Sequence, residues 1–296
     1  MQYSLSTLSE VPTDPVEFAM WMNNEDFIAT GASVCNHCEH QMIFQESTHF
    51  QADSVCLRCT NPTCARYGSV RISSFFSKRH MSLRQQMQLI IAFVADSTVS
   101  ATARQYGLTR QTVGTFFDDC REQYQKALDE KPIQFSHGQF EVDECLLTHV
   151  RNELNVLLPI QWVAGIFQRE TGQVLMYRIA DRKKVSILPP LYEHIPMGSF
   201  VYSDDLATYH SLDTHYLHYS VNHSQGEFAR EDEWGDFPLN VTIGAMEEVW
   251  SELRRRMRFR ARRRFVRMDL IMAEMMYRKS GRALFEPFKV HLEEQQ

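Results

Sequence analysis

Phe140-Glu-Val-Asp-Glu-Cys-Leu-Leu147 alternates apolar and polar side chains, the period of a half-buried strand, and ends a linker marked by Pro132 and Ser136-His-Gly138. Working outward, Gln161-Trp-Val-Ala-Gly-Ile-Phe167 reads as a second strand. Glu170-Thr-Gly172 joins it to a third, Gln173-Val-Leu-Met-Tyr-Arg-Ile179, and the Thr-Gly pair is a hairpin signal. A helix follows near Val185 to His194, then a strand at Ser199-Phe-Val-Tyr-Ser203, a short helix at Leu206 to Leu212 and a strand at Tyr216 to Val221. The last element expected is one long helix from about Ala245 to Lys279.

Three antiparallel strands, a helix, a strand, a helix and a strand predict an α/β fold, a ribonuclease-H-like core over residues 138–282. Three acids stand in separate segments of that plan: Asp143 on the first strand, Asp204 at the end of the fourth, and Glu247 in Met246-Glu-Glu-Val-Trp-Ser251 at the start of the long helix. A single strand-end Asp is usually a turn or cap residue. Carboxylates delivered from separate elements can instead share two divalent ions, Mg²⁺ or Mn²⁺, which activate an oxygen nucleophile and stabilise the leaving oxygen in phosphoryl transfer. The expectation is a metal-dependent enzyme acting on nucleic acid.

Composition permits this. The chain has 296 residues, with 44% hydrophobic and 23% charged, ordinary values for a globular protein. The longest apolar runs, such as Leu89-Ile-Ile-Ala-Phe-Val-Ala95, fall short of the roughly 18 residues of a membrane span. The start, Met1-Gln-Tyr-Ser-Leu-Ser, lacks the basic and apolar regions of a secretory signal. An intracellular protein without a membrane partner is expected, nuclear in a eukaryote and otherwise cytoplasmic at the nucleoid, with cysteines as thiols or metal ligands. The net charge of −6 argues mildly against nucleic acid, yet nine arginines crowd residues 254–267, among them Arg254, Arg255, Arg258 and Arg262. Such a segment can track phosphates; its bland reading is a solvated face or an import signal.

Two small modules precede the core, after a lead segment, residues 1–34, that holds the amphipathic stretch Pro15 to Met22. Residues 35–80 hold five of the seven cysteines. Cys35-Asn-His-Cys38 is one zinc knuckle, and either Cys56-Leu-Arg-Cys59 or Cys59-Thr-Asn-Pro-Thr-Cys64 is the second, predicting a structural Zn²⁺ ribbon whose metal supplies much of its folding energy. His37, His40 and His49 are possible substitutes. Residues 81–130 read as three helices: one capped by Ser82, one over Val99 to Gly107, and one from Arg110 through Phe117 capped by Thr109. Ala103, the Gly107 turn and the polar start of the last helix are helix-turn-helix grammar, which points Thr109, Arg110, Gln111 and Thr112 at DNA. The competing reading is a plain three-helix bundle.

The motifs, in order, resemble those of the Merlin superfamily of DDE transposases and their bacterial ISXO-type insertion-sequence relatives. Leu57-Arg-Cys-Thr-Asn-Pro-Thr-Cys64 with Ser69-Val-Arg-Ile-Ser-Ser-Phe-Phe76 is similar to the family's ribbon and its exit. Glu141-Val-Asp-Glu144 and Val201-Tyr-Ser-Asp204 resemble its catalytic strands, Val221-Asn-His-Ser-Gln-Gly-Glu-Phe228 its Asn-His-Ser segment, and Glu247 stands three residues before Trp250-Ser251 as its third acid does. The likeness spans roughly residues 20 to 280. Thr242-Ile-Gly-Ala245 departs from the family's His-Thr-Asn-Thr-like stretch.

The resemblance implies that Asp143, Asp204 and Glu247 form a DDE triad, with Asp143 bridging two ions. Glu144, Asp205 and Glu248 are then fallbacks in supporting or solvent-facing places. It aligns Cys59 and Cys64 as the second knuckle, with Cys56 still in contention by spacing. It places Asn222 and His223 beside the site, where a strand-end structural pair is the plain alternative. It implies cleavage and strand transfer at terminal inverted repeats, with double-stranded DNA as partner and a homo-oligomer to join two ends. A domesticated derivative that binds DNA as a regulator is the alternative, and a structure-specific ribonuclease or resolvase is a third reading. Residues 283–296 are left as a C-terminal tail.

Overall fold

The computed structural model describes residues 11–28, 34–50, 52–77, 79–147, 154, 156, 160–260 and 265–290, without the side chains of 258–260 and 265–266. The chain divides into two compact units, Met1–Gln123 with Ala283–Gln296, and Tyr124–Arg282.

In the first unit, α1 (Pro15–Asn24) starts at Asp14, whose Oδ1 accepts the Val16 and Glu17 N–H groups at 2.9 Å. It buries Phe18, Ala19 and Met22. β1 (Met42–Glu46), β2 (Val55–Cys59) and β3 (Tyr67–Gly68) form a small antiparallel sheet in that order. β1 buries no residue, so this sheet has little core of its own. Asp53 ties it onward: its carboxylate accepts the Arg71 guanidinium and the Leu83 N–H at 2.7 Å.

Leu83 opens α2 (Leu83–Val94), where Ser82 and Gln85 form a reciprocal capping box. Thr98 Oγ1 caps α3 (Val99–Gln105) through the Ala101 N–H at 3.1 Å. The chain then turns at Gly107, at φ +64, and the Leu108 N–H returns to the Ala103 carbonyl at 2.9 Å. α4 (Arg110–Glu130) runs well past Phe117, and the unit boundary falls inside it. Phe75 stacks edge-on to both Phe116 and Phe288, at 5.6 and 5.3 Å. Residues 283–290 are therefore part of this unit's core rather than a free tail, with Phe285 and Phe288 buried and the Val290 N–H bonded to the Asp26 carbonyl at 2.7 Å.

The second unit is a mixed α/β fold. β4 (Gln139–Leu147), β5 (Gln161–Gln168), β6 (Val174–Ile179), β7 (Phe200–Asp204) and β8 (Leu217–Val221) form one sheet in the order β6-β5-β4-β7-β8. β4, β5 and β6 pair antiparallel, whereas β7 lies parallel to both β4 and β8. Phe140, Val142 and Val201 face a core made with α5 (Lys184–His194) and the 3-10 helix Tyr209–Thr214. Tyr202 and Val221 form a second core with Leu239, Val241 and Ile243.

One sequence expectation needs correction. Between β8 and the final helices stands an unforeseen hairpin, β9 (Ala229–Trp234) with β10 (Phe237–Thr242), turned at Gly235. Of its strand residues only Leu239 and Val241 are buried, so its charged, half-wet sequence carried almost no strand signal. The long helix expected from about Ala245 to Lys279 is described over two stretches, α6 (Gly244–Arg260) and α7 (Phe265–Lys279), and residues 261–264 between them lie outside the described residues.

Candidate functional site

β4 works from both faces. Glu141 and Asp143, two residues apart, lie on the face that meets α6. Glu141 is 2% exposed; its Oε2 accepts the Met246 N–H at 3.0 Å and its Oε1 accepts Arg169 Nε at 2.8 Å. Arg169 in turn donates to the carbonyls of Asn240 and Thr242 at 2.8 and 2.7 Å. A buried carboxylate thus meets the positive end of α6. Asp143 Oδ2 accepts the Trp250 indole N–H at 2.9 Å. Gly165, opposite Asp143 across β5, leaves the room, since a Cβ there would lie 2.4 Å from Met246 Cε and 2.7 Å from Trp250 Cη2.

The parallel register pairs Glu141 with Tyr202 and stops there. Two residues beyond, where the strands are no longer bonded, Asp143 and Asp204 stand side by side. Glu144 joins them, and one carboxylate oxygen from each of Asp143, Glu144 and Asp204 lies within 4.8 Å of the others. Burial, then the neighbouring carboxylates of Glu144 and Asp204, push Asp143 up to about 7, against an ordinary value of 3.8. Burial also raises Glu144. Hard oxygen donors gathered this closely suit a divalent cation such as Mg²⁺ or Mn²⁺, whose charge would displace the proton that burial favours on Asp143.

Of the two places the sequence left open for Glu144, supporting or solvent-facing, it takes the supporting one. Its side chain is 1% exposed, Oε1 accepts Arg182, and Oε2 accepts the Tyr209 hydroxyl at 2.6 Å. Arg182 Nη2 also lies 3.8 Å from Asp204 Oδ2. Asp205 bonds His210 and Asn222 instead, and Glu248 is exposed. Sequence reasoning passed over Arg182, Tyr209 and Glu141. Only Glu141 carried a signal, being spaced two residues from Asp143 on one strand face.

Glu247 does not join the acidic group. It lies in the first turn of α6, half exposed, with His223 Nδ1 3.8 Å from its Oε1. His223 Nε2 is shielded from solvent and has no hydrogen-bond partner among the described residues. Asn222 turns away from the acids' centre: its Oδ1 accepts the Gln225 N–H at 3.2 Å and its Nδ2 donates to Asp205 Oδ2 at 2.8 Å. Behind Asp204, the fully buried Ser203 hydroxyl meets His218 Nε2 at 2.8 Å, and His218 Nδ1 meets Asp213 at 2.7 Å. A serine with no access to solvent serves there as a strut, not as a nucleophile.

A second cluster lies in the first unit. Cys35, Cys38, Cys59 and Cys64 gather their sulfurs within 4.8 Å, with Cys35 Sγ 3.7 Å from Cys64 Sγ and Cys38 Sγ 3.4 Å from Cys59 Sγ. Zinc bound at about 2.3 Å to four thiolates sets sulfurs about 3.8 Å apart, so these four fit the ion. Each pair closes on a residue with positive φ, Glu39 at +58 and Ala65 at +44. The turn's backbone N–H groups lower the Cys38 thiol to about 6, while burial raises Cys59 to about 12. Cys56 is buried elsewhere on β2 and does not take part, nor do His37, His40 and His49.

Of the residues expected to face DNA, Thr109 is spent on the helix: its Oγ1 accepts the Thr112 N–H at 3.0 Å and contacts the Thr112 hydroxyl at 2.8 Å. Arg110 and Gln111 are exposed beside it. Arg254 and Arg255 are exposed on α6, whereas Arg256 is buried against Glu252 and Glu274. Arg262 and the side chain of Arg258 lie outside the described residues.

No curated protein matches the chain. Among solved structures, a pre-cleavage Mos1 transpososome aligns at 8% identity and a TM-score of 0.20, over 70% of this chain and 79% of that one. The Mos1 strand transfer complex aligns at 9% identity and a TM-score of 0.19, over 69% and 78%. Superposition this loose carries nothing over to the present chain. The sequence comparison is sharper: residues 160–279, which include Asp204 and Glu247 and begin beyond Asp143, match the family model of the ISXO2-like transposase domain, a similarity that spans less than half of the chain.

Proposed function

We propose that the protein is a DDE transposase that cuts and joins DNA at the terminal inverted repeats of its element. The observation that carries this reading is the meeting of Asp143, midway along β4, and Asp204, at the end of β7, just past the point where these parallel strands stop pairing, with Asp204 inside the segment that matches a transposase domain. The strand order β6-β5-β4-β7-β8 supports a ribonuclease-H-like core. The sulfur geometry supports a zinc ribbon over residues 35–80, and the Gly107 turn supports a helix-turn-helix over 81–130.

In this reading Asp143, Asp204 and Glu247 would hold two Mg²⁺ or Mn²⁺ ions, and Asn222 and His223 would support the site. Bound there, the ions would activate the attacking oxygen and offset charge on the phosphate. The chain holds the carboxylates in place: Trp250 orients Asp143, and Glu141 fixes the start of the helix carrying Glu247. Hydrolysis adds a water oxygen to phosphorus, breaks the bond to the 3′ oxygen and leaves a 3′-hydroxyl and a 5′-phosphate. That hydroxyl then attacks target DNA, forming one phosphodiester and freeing another 3′-hydroxyl. Arg110, Gln111 and Thr112, with Thr109 capping their helix, meet one stretch of duplex, and Arg254, Arg255, Arg258 and Arg262 track phosphates. The active form is a homo-oligomer on DNA, working in the nucleus of a eukaryote or the cytoplasm of a bacterium.

One observation favours a second reading, a domesticated DNA-binding regulator: Glu247 stands outside the acidic group. A cleavage and joining assay separates the two. Duplex DNA from the inverted repeats flanking the gene is incubated with Mn²⁺ and either the wild-type chain or Asp204→Asn. Nicking at the repeat end by the wild type alone supports the transposase, whereas tight binding without cleavage by either protein supports the regulator.

A further inference from the structure

Arg182 has no part in the expected triad, yet it sits at the mouth of the acidic site. Its guanidinium is bound along one edge by Glu144 and stands 3.8 Å from Asp204. It also lies 5.2 Å from the Trp162 ring centroid, and its own carbonyl accepts the Thr208 hydroxyl at 2.9 Å. Glu144 is held in turn by the Tyr209 hydroxyl, and Tyr209 is 1% exposed. The result is a chain of support, from the buried Tyr209 through the buried Glu144 to a guanidinium whose side chain is 40% exposed.

Both oxygens of Glu144 are engaged, so it is poorly placed to serve as a metal ligand. Its burial makes sense if its task is to fix Arg182: Oε1 takes both Nε and Nη2 of the guanidinium while Oε2 is held by Tyr209, which sets the plane of Arg182. The guanidinium edge turned from Glu144 makes no bond among the described residues. A planar cation with a free edge, fixed within 4 Å of a carboxylate that would hold metal, matches a phosphate oxygen bound at that metal.

Resting on the transposase reading, we propose that Arg182 grips a non-bridging oxygen of the phosphate being cut, with Glu144 and Tyr209 as the residues that position it. Arg182 makes and breaks no covalent bond. It offsets the negative charge that grows on the non-bridging oxygens while the attacking oxygen adds and the 3′ oxygen leaves.

The test compares Arg182→Ala and Arg182→Lys with the wild-type chain. Both act on the inverted-repeat duplex carrying either the natural phosphate or a neutral methylphosphonate at the cut position. On phosphate, Arg182→Ala should slow cleavage about 100-fold, with Lys intermediate. On methylphosphonate, where the gripped charge is gone, the gap between wild type and Arg182→Ala should shrink to a few-fold. Glu144→Gln and Tyr209→Phe should show the same substrate dependence more weakly, which a merely structural role would not produce. DNA-free Mn²⁺ binding by Arg182→Ala should match the wild type or improve, since a cation leaves the neighbourhood of Asp204, while the melting temperature should fall because the buried Glu144 loses its partner. Equal losses on both substrates, or no loss on phosphate, overturn the proposal while leaving the transposase reading intact. A wild-type chain that cuts neither substrate overturns that reading, and this role with it.

Discussion

Glu141 Oε2 accepts the backbone N–H of Met246 at 3.0 Å, so a buried carboxylate in the central strand caps the helix that carries Glu247. The same strand face offers Asp143 to the Trp250 indole at 2.9 Å, one turn further along α6. Two side chains of β4 therefore set both the position and the rotation of α6, and the second is itself a proposed ligand. The support of the site and its chemistry share one strand face.

Removing Glu141 should be costly for that reason. Glu141→Ala strips the cap from α6 and leaves Arg169 without its carboxylate partner. Breaking a largely buried ion pair from one side costs about 3 kcal/mol. Urea unfolding should record a loss of that order, and a loss below about 0.5 kcal/mol would show that Glu141 does not hold the helix.

Gly165 should resist enlargement. A Cβ at this position would fall 2.7 Å from Trp250 Cη2, and the indole is pinned by Asp143. Met246 can swing its methyl aside, but the ring cannot. Gly165→Ala should destabilise the protein by about 1–3 kcal/mol and weaken Mn²⁺ binding at the same time. Unchanged values in thermal melting and metal titration would mean that α6 shifts freely.

The strands around these residues were legible because they obey simple periods. Phe140 to Leu147 alternates, and Gly172, with φ of +69, turns the hairpin that its Thr-Gly pair announced. Ser82 and Thr109 cap as their residue types suggest. What escaped was long-range. The β9–β10 hairpin buries two strand residues only, too few to register against its charges. Spacing left Glu144 as a fallback without showing its partners: alternation sends it to the face opposite Asp143, yet β7 stops pairing at Tyr202 and one of its oxygens still comes within reach of Asp143 and Asp204. Sequence order put Glu247 on the helix beside the acids, though it could not give the side-chain separation that leaves it outside their group.

Asp143 gives the metal-free protein a pH signature. Its carboxyl keeps a proton up to about pH 7 when folded, whereas the unfolded chain releases it near 3.8. Between those values the folded state binds more protons, so this contribution to stability falls as pH rises and levels off above about 7. Divalent ions must displace the same proton, so Mn²⁺ affinity should climb over that window and then flatten. Asp143→Asn should remove the slope, which urea unfolding at pH 5, 6 and 7 would reveal. An unchanged slope would assign it to another group.

The zinc knuckles make the last prediction, because spacing alone left two pairings open and the sulfurs choose between them. Cys59 and Cys64 lie with Cys35 and Cys38, while Cys56 is buried on β2 opposite Gln45. Cys56→Ser should therefore leave the metal content unchanged and cost only its small packing term. Cys64→Ser should abolish zinc binding. Since β1 buries nothing, the small sheet should then lose its fold, taking with it the Asp53 bonds to Arg71 and Leu83 that reach α2. Metal analysis with melting in the presence and absence of a chelator reads both effects. Zinc lost from Cys56→Ser and retained by Cys64→Ser would reverse the assignment.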